Sequence, residues 1–310
     1  MRILFMGTPD FALGSLRALF ESGEDIIGVV TQPDKPKGRG YELTPPPVKV
    51  YALEKGIDVY QPATLRGEDF AALLSSLDPE MIVVVAYGKI LPENVINYPK
   101  FGCINVHGSL LPEYRGAAPM QRAIIDGKDK TGITTMYMDV GLDTGDMILG
   151  RECDIFESDN FEDIHDRLMV LGGEVLLDTV KAIKEGVAPR TKQDDSLSNY
   201  AAKIEKADCL IDFSKSAKAV HDQIRGLSPI PLSFTHTADG KLLKVLEARI
   251  EKREGICGKA GEVISLEGGI EVACGEGSVM LLRVLPEGKG RMAAADFVRG
   301  RKVSLGDILI

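Results

Sequence analysis

Cysteine is scarce and scattered in this chain: the five residues Cys103, Cys153, Cys209, Cys257 and Cys274 are odd in number, form no C-x-x-C pair, and come no closer together than Cys257 and Cys274. That spacing fits neither a disulfide framework nor a zinc site, so reduced and mostly buried thiols are expected. Long apolar runs are missing too, with nothing near the roughly 18 residues of a membrane span. The start, Met1 to Met6, runs into Gly7-Thr8-Pro9-Asp10 without the apolar stretch of a signal peptide. A cytoplasmic protein with no membrane contact is therefore expected. Histidine numbers only four, and three of them, His165, His221 and His236, sit in contexts typical of structural hydrogen bonding.

The 310 residues are 44% hydrophobic and 27% charged, an ordinary globular composition with length for two domains. Charge is uneven. Residues 1–188 carry 18 Lys and Arg against 29 Asp and Glu, whereas 189–310 carry 19 against 17, within a net charge of −9. The stretch 283–302 is locally basic, through Arg283, Lys289, Arg291, Arg299, Arg301 and Lys302, which suits a solvated surface as well as a nucleic-acid contact.

Hydrophobic patterning predicts a strand over Arg2–Met6, a helix over Phe11–Glu21 and a parallel second strand over Ile26–Thr31, a βαβ opening. Its loop has one glycine where a dinucleotide fingerprint needs three, so only a helix N-terminus suited to an anion is expected there. Residues 32–47 hold five prolines and two glycines where roughly 2 to 6 loop residues would serve. That insertion reads either as a solvated loop or as an arm whose Lys35, Lys37 and Arg39 reach a polyanion. A helix over 48–55, a short strand over 58–60, a helix over 70–77 and the fully apolar strand Met81–Ala86 follow, giving a doubly wound, Rossmann-like α/β domain. Tyr87, Gly88, Ile90 and Leu91 follow that strand's carboxyl end, where open α/β sheets place ligands. Further elements are a helix over 118–126, strands over 133–138 and 147–154, and a long helix over 161–185. Residues 1–188 read as this domain, the polar aperiodic 189–205 as a linker, and 206–310, with one helix and several short strands, as a small OB-like β-barrel.

Chemistry concentrates in Cys103-Ile104-Asn105-Val106-His107-Gly108-Ser109-Leu110-Leu111-Pro112. In an extended segment Asn105 and His107 share one face while Ile104 and Val106 take the other. A carboxylate partner, Asp143, lies in the glycine-flanked loop 138–146. Asp139 and Asp146 read as turn formers, and the three acids match no strong ion motif, so no metal is expected. Such a trio can offer an oxyanion donor and a proton acceptor. Asn105 suits the first, Asp143 the second, and His107, held cationic by Asp143, adds a charge-assisted hydrogen bond.

Gly7-Thr8-Pro9-Asp10-Phe11, Gln32-Pro33-Asp34, Val84-Val85-Ala86-Tyr87-Gly88, the 104–112 stretch, Tyr114-Arg115-Gly116-Ala117-Ala118-Pro119 and the 139–146 loop together resemble the 10-formyltetrahydrofolate-dependent formyltransferases, in particular the methionyl-tRNA formyltransferase branch. The resemblance covers both domains. It implies an enzyme of translation initiation that formylates methionyl-initiator-tRNA with 10-formyltetrahydrofolate as cosubstrate, expected here as a monomer. It implies that Asn105, His107 and Asp143 are catalytic and that Ser109, Leu110, Leu111 and Pro112 border the folate, together with Tyr87, Gly88, Ile90 and Leu91. Arg39 would enter near the tRNA acceptor end, and the barrel would contact the tRNA. The alternatives are formyl transfer to a small amine, hydrolysis releasing formate, and a non-catalytic tRNA-binding protein.

Overall fold

The computed structural model describes residues 1–37 and 42–310. In chain order the elements are β1 (Arg2–Gly7), α1 (Phe11–Glu21), β2 (Asp25–Val30), β3 (Lys35–Lys37), β4 (Glu42–Thr44), α2 (Pro47–Glu54), β5 (Val59–Tyr60), α3 (Glu68–Leu77), β6 (Met81–Val85), α4 (Glu93–Ile96), β7 (Cys103–His107), β8 (Arg115–Gly116) and α5 (Pro119–Ile125). Then come β9 (Lys130–Tyr137), β10 (Met147–Asp154), α6 (Phe161–Lys184), β11 (Tyr200–Ala201), α7 (Ala217–Gly226), β12 (Ser233–His236), β13 (Leu242–Lys252), β14 (Val263–Ser265), β15 (Ile270–Ala273), β16 (Ser278–Pro286), β17 (Met292–Ala293) and α8 (Ala294–Arg299).

These elements gather into two compact units. The first comprises Met1–Gly116, Thr131–Cys153 and His165–Tyr200. It is built on a seven-stranded sheet in the order β10-β9-β7-β6-β1-β2-β5. Strands β1, β2, β5, β6 and β7 pair in parallel. β6 and the apolar residues of β1 are fully buried, as continuous Val, Ile and Met runs in a central parallel strand require. β9 runs antiparallel to β7, so the sheet is mixed. Periodicity marks a strand's faces but carries no direction, which is why the sequence shows the strand and not this reversal. Helix α1 starts with Asp10 as its N-cap, the carboxylate accepting from the Phe11 N–H at 3.0 Å. Gly14 and Gly173 let α1 and α6 approach closely, since a Cβ on Gly173 would stand 2.8 Å from the Gly14 carbonyl oxygen.

The insertion predicted as a loop has paired arms: β3 and β4 form an antiparallel ladder, Lys35 opposite Thr44 and Lys37 opposite Glu42. Prolines and glycines hide such a short ladder from pattern reading.

The second unit comprises Ala117–Lys130, Asp154–Ile164 and Ala201–Ile310. Its sheet is antiparallel and curled, in the order β12-β13-β16-β15-β14, with β17 on β16. Helix α7, capped by the Ser216 hydroxyl, packs its Ala217, Val220 and Ile224 against Leu243, Val245 and Leu281 of that sheet. Within the same unit, buried Arg225 donates to the Phe156 and Asp159 carbonyls at 3.0 and 2.9 Å, and to Asp222 at 2.7 Å. The basic stretch 283–302 spans part of β16, β17 and α8, with its Arg and Lys side chains exposed.

Candidate active site

Strand β7 builds the site. All five of its residues are buried, between β6, with Val84 opposite Asn105, and β9, with Met136 opposite Asn105 and Thr134 opposite His107. The pleat sends Ile104 and Val106 to one face, where Val106 Cγ1 lies 3.4 Å from the position of a Cβ on Gly172 of α6. Asn105 and His107 take the opposite face.

The loop after β9 supplies the carboxylate. The Met138 N–H donates to the Cys103 carbonyl at 2.8 Å, at the start of β7. From there the chain folds back over the Asn105 and His107 face. Asp139 holds the loop from within, its Oδ1 accepting from the Gly141 N–H at 3.0 Å and the Thr144 hydroxyl at 2.7 Å. Asp143 adopts a left-handed φ of 54°, a conformation that costs most L-residues energy and that aspartate tolerates better than most.

Three groups converge there. Asn105 Nδ2 donates to Asp143 Oδ1 at a long 3.5 Å. Asp143 Oδ2 accepts the Gly116 N–H at 2.9 Å and lies 3.8 Å from His107 Nδ1. His107 Nε2 stands 2.9 Å from the Tyr114 carbonyl oxygen. A carbonyl only accepts, so Nε2 bears a hydrogen and Nδ1 is the nitrogen that faces the carboxylate. Asn105 and His107 are 9% and 6% exposed, so a charge held here depends on these partners.

Family models match along the chain: one described as formyl transferase over residues 1–180, and one described as formyl transferase, C-terminal domain, over 203–302. A methionyl-tRNA formyltransferase of Citrifermentans bemidjiense is 48% identical over 310 residues, which are 100% of this chain and 96% of that protein. Another, from Clostridium novyi, is 47% identical over 311 residues with 100% of both chains covered. The chain belongs to the methionyl-tRNA formyltransferase family. The fold agrees with this: an N-formyltransferase from Helicobacter canadensis, solved with folinic acid and dTDP-3-aminofucose, superposes with a TM-score of 0.68 at 18% identity, covering 90% of this chain and 98% of that one.

The two loops that follow β6 and β7 leave the carboxyl ends of neighbouring parallel strands, the edge at which open α/β sheets place ligands. The register of Val84 opposite Asn105 sets the Ala86–Gly88 break level with the end of β7. Ala86 and Gly88 both have positive φ, 47° and 83°. Gly88 and Ile90 are exposed, Leu110 and Pro112 are half-buried, and Tyr87, Leu91, Ser109 and Leu111 are buried. Ser109 donates its hydroxyl to the Glu113 carbonyl at 2.7 Å, and its own carbonyl accepts from Thr134 Oγ1 at 2.8 Å. The Tyr87 carbonyl accepts from Thr8 Oγ1 at 3.0 Å and Gln32 Nε2 at 3.2 Å. Burial pushes the Tyr87 phenol up to about 12, so that side chain is a neutral core member.

Of the three basic residues expected to meet tRNA, Lys35 is exposed at the start of β3. Lys37 pairs through β3, and Arg39 lies outside the described residues. The root of this hairpin is pinned by Lys49 of α2, whose Nζ donates to both Asp34 oxygens at 2.8 Å and to Gln61 Oε1 at 2.7 Å. That lysine, first, and Gln61, second, hold the Asp34 carboxyl below its ordinary value. Among the described residues no group of three or more His, Cys, Asp or Glu is arranged to hold a metal ion. No helix among them is long and apolar enough to cross a membrane.

The other histidines have structural partners. His165 Nδ1 lies 2.9 Å from Asp166 and its Nε2 3.5 Å from Asp10. The hydrogen bond with Asp10 chiefly raises the His165 pKa, and the same bond lowers that of Asp10. His236 Nδ1 lies 3.2 Å from the Ile310 carbonyl oxygen, and His221 is buried beside Asp222. Three contributors to the site were not singled out from the sequence: the Tyr114 carbonyl and the Gly116 N–H, both backbone groups, and Gln193, a single amide in an aperiodic stretch that donates to the Asp143 carbonyl at 2.9 Å.

Proposed function

We propose that this chain transfers the formyl group of 10-formyltetrahydrofolate to the α-amino group of methionyl-initiator-tRNA, acting without a metal, as a cytoplasmic monomer, to prepare the initiator for translation. The observation that carries this reading is the convergence of Asn105 Nδ2, His107 Nδ1 and the Asp143 carboxylate within a member of this family. The loops beside them suit a flat, partly apolar donor: a Cβ on Gly88 would meet nothing within 4 Å, and Ile90 is exposed. Ser109, Leu110, Leu111, Pro112, Tyr87, Gly88, Ile90 and Leu91 would hold the folate, while Lys35, Lys37 and Arg39 would meet the tRNA, as would the C-terminal unit. When bound, the folate supplies a formyl carbon attached to an arylamine nitrogen, a better leaving group than an alkyl amine.

The chain's own groups divide the work. Asn105 Nδ2 donates to the oxyanion that develops at a tetrahedral carbon. Among the described residues Asp143 Oδ1 receives only that long contact from Asn105, so it retains lone pairs to accept the proton of the attacking amine, directly or through one water, and to pass it to the arylamine nitrogen as the formyl C–N bond to the folate breaks. His107 keeps its hydrogen on Nε2 against Tyr114 and turns Nδ1 toward the Asp143 carboxylate 3.8 Å away.

The test is single-turnover transfer of labelled formyl from 10-formyltetrahydrofolate to methionyl-tRNA, beside free methionine and a ribonucleotide amine. Transfer to the charged tRNA alone is expected. Transfer to a small amine, or formate release without transfer, would refute the reading.

A further inference from the structure

The polar stretch between α6 and β11 has no periodicity, yet it delivers one almost fully buried amide to the site. Gln193 is 6% exposed. Its Nε2 donates to the Asp143 carbonyl at 2.9 Å and to the Gly145 carbonyl at 2.8 Å. Its Oε1 accepts from Arg115 Nε at 3.0 Å and from the same guanidinium's NH2 nitrogen at 2.8 Å. Both amide hydrogens and both lone pairs are therefore used.

These bonds close a circuit. Gln193 ties the Asp143 backbone to Arg115, and the next residue, Gly116, donates its N–H back to the Asp143 carboxylate at 2.9 Å. Tyr114, on the other side of Arg115, provides the carbonyl that orients His107. One glutamine thus fixes the loop bearing the carboxylate against the segment that sets the imidazole. The need for such a tie is visible in the loop itself, where Asp143 holds φ at 54° while Val140 and Leu142 are exposed. A strained residue on a solvated loop keeps its geometry only when its surroundings over-determine it.

The stretch that carries Gln193 is itself fastened. Thr191 exchanges two backbone hydrogen bonds with Met147, each 2.9 Å. The Arg190 guanidinium stacks 3.6 Å over the Tyr137 ring, and the Asn199 side chain accepts from the Tyr114 N–H.

We infer that Gln193 is a positioning residue for formyl transfer, holding Asp143 and, through Arg115, the Tyr114–Gly116 segment in one reactive arrangement, so that the stretch from 190 to 199 is part of the active site. This rests on the reading of Asn105, His107 and Asp143 as the reacting groups. Removing the two donors leaves substrate contacts in place but frees the carboxylate to wander, and a displacement of about 1 Å in a reacting group costs on the order of 100-fold in rate.

The experiment is single-turnover formylation of methionyl-tRNA with enzyme and 10-formyltetrahydrofolate saturating, on Gln193→Met, Gln193→Glu and Asp143→Asn. Gln193→Met matches the volume and removes the four bonds to Arg115 and the two carbonyls; Gln193→Glu keeps acceptors for Arg115 and removes the donors to the two carbonyls. A merely structural role reduces the folded fraction, read by circular dichroism and thermal melting, and leaves the rate constant at saturating enzyme unchanged, whereas a positioning role lowers the rate constant of the molecules that remain folded. The expected result is a fall of about 10- to 100-fold in the saturating rate constant for both Gln193 variants, with a near-wild-type folded fraction and with each KM within about threefold. A rate constant within about threefold of wild type in either variant overturns the inference, as does a loss of folded fraction alone. Asp143→Asn separates the failures: a wild-type rate there would overturn the assignment of the reacting groups itself, while its collapse beside an unimpaired Gln193→Met would remove Gln193 alone.

Discussion

Gly145→Ala isolates how finely the carboxylate loop must be seated. Gly145 does not have positive φ, so alanine is acceptable to its backbone and the cost is steric. A Cβ added there would collide with the Tyr137 carbonyl, standing 2.9 Å from its carbon as well as against its oxygen. Both are backbone atoms of β9, which cannot rotate away as a side chain can. The loop must therefore shift by about 1 Å or more, and displacement on that scale at the reacting groups is worth on the order of 100-fold in rate, or about 3 kcal/mol of barrier. The shift also strains the bond from the Tyr137 N–H to the Asp146 carbonyl, 2.9 Å, and that from Gln193 to the Gly145 carbonyl. Gly150→Ala is the matched control in neighbouring β10, since its Cβ would meet nothing nearer than 3.8 Å. Single-turnover formylation well below the thermal midpoint should show Gly145→Ala slowed by about 100-fold and Gly150→Ala within about threefold of wild type. Equal rates for the two variants would refute the idea that backbone contact seats the loop.

Other perturbations address other parts of the molecule. Asn105→Ala should lower kcat by about 10²- to 10³-fold with little change in folate binding, and a near-wild-type kcat in steady-state assays would remove the amide from the mechanism. Simultaneous alanine substitution of Lys35, Lys37 and Arg39 should raise the KM for tRNA and flatten its dependence on salt; an unchanged slope would leave the hairpin as a solvated insertion. Asp10→Asn keeps the N-cap of α1 and deletes one of the two carboxylates facing His165, leaving Asp166. The raised His165 pKa contributes stability that is full below the ordinary imidazole value of 6.5 and lost as pH rises through the folded value. The lowered Asp10 pKa contributes stability present above 3.8 and lost as pH falls through the folded value. The difference in thermal midpoint between wild type and Asp10→Asn should therefore peak between these two ordinary values and shrink on either side, and a pH-independent difference would contradict it.

Local patterns carry some of this architecture well. The alternation in Cys103–His107 was enough to put Asn105 and His107 on one face, because a strand has only two faces and Ile104 and Val106 claim the apolar one. Runs such as Met81–Val85 announced central strands by being apolar throughout. Strand direction was not legible: nothing in Lys130–Tyr137 distinguishes an antiparallel neighbour of β7 from a parallel one, since both bury the same faces. The ladder between Lys35–Lys37 and Glu42–Thr44 was hidden by its prolines. Gln193 was invisible for a different reason. A lone amide in a polar stretch gains meaning only from what surrounds it after folding, namely two carbonyls of one loop and the guanidinium of another.

The way the two compact units share the chain has a consequence for handling the protein. The backbone passes from one unit to the other after Gly116, Lys130, Cys153, Ile164 and Tyr200, so no single scission releases either body whole. A fragment stopped near residue 188 would keep α5 and the 154–164 segment but discard α7 and Arg225, against which they are folded. During synthesis, those two early segments leave the ribosome before their partners exist and must wait for the last third of the chain. Protease nicks in the connecting stretches should accordingly yield pieces that travel together on a sizing column and part only in denaturant.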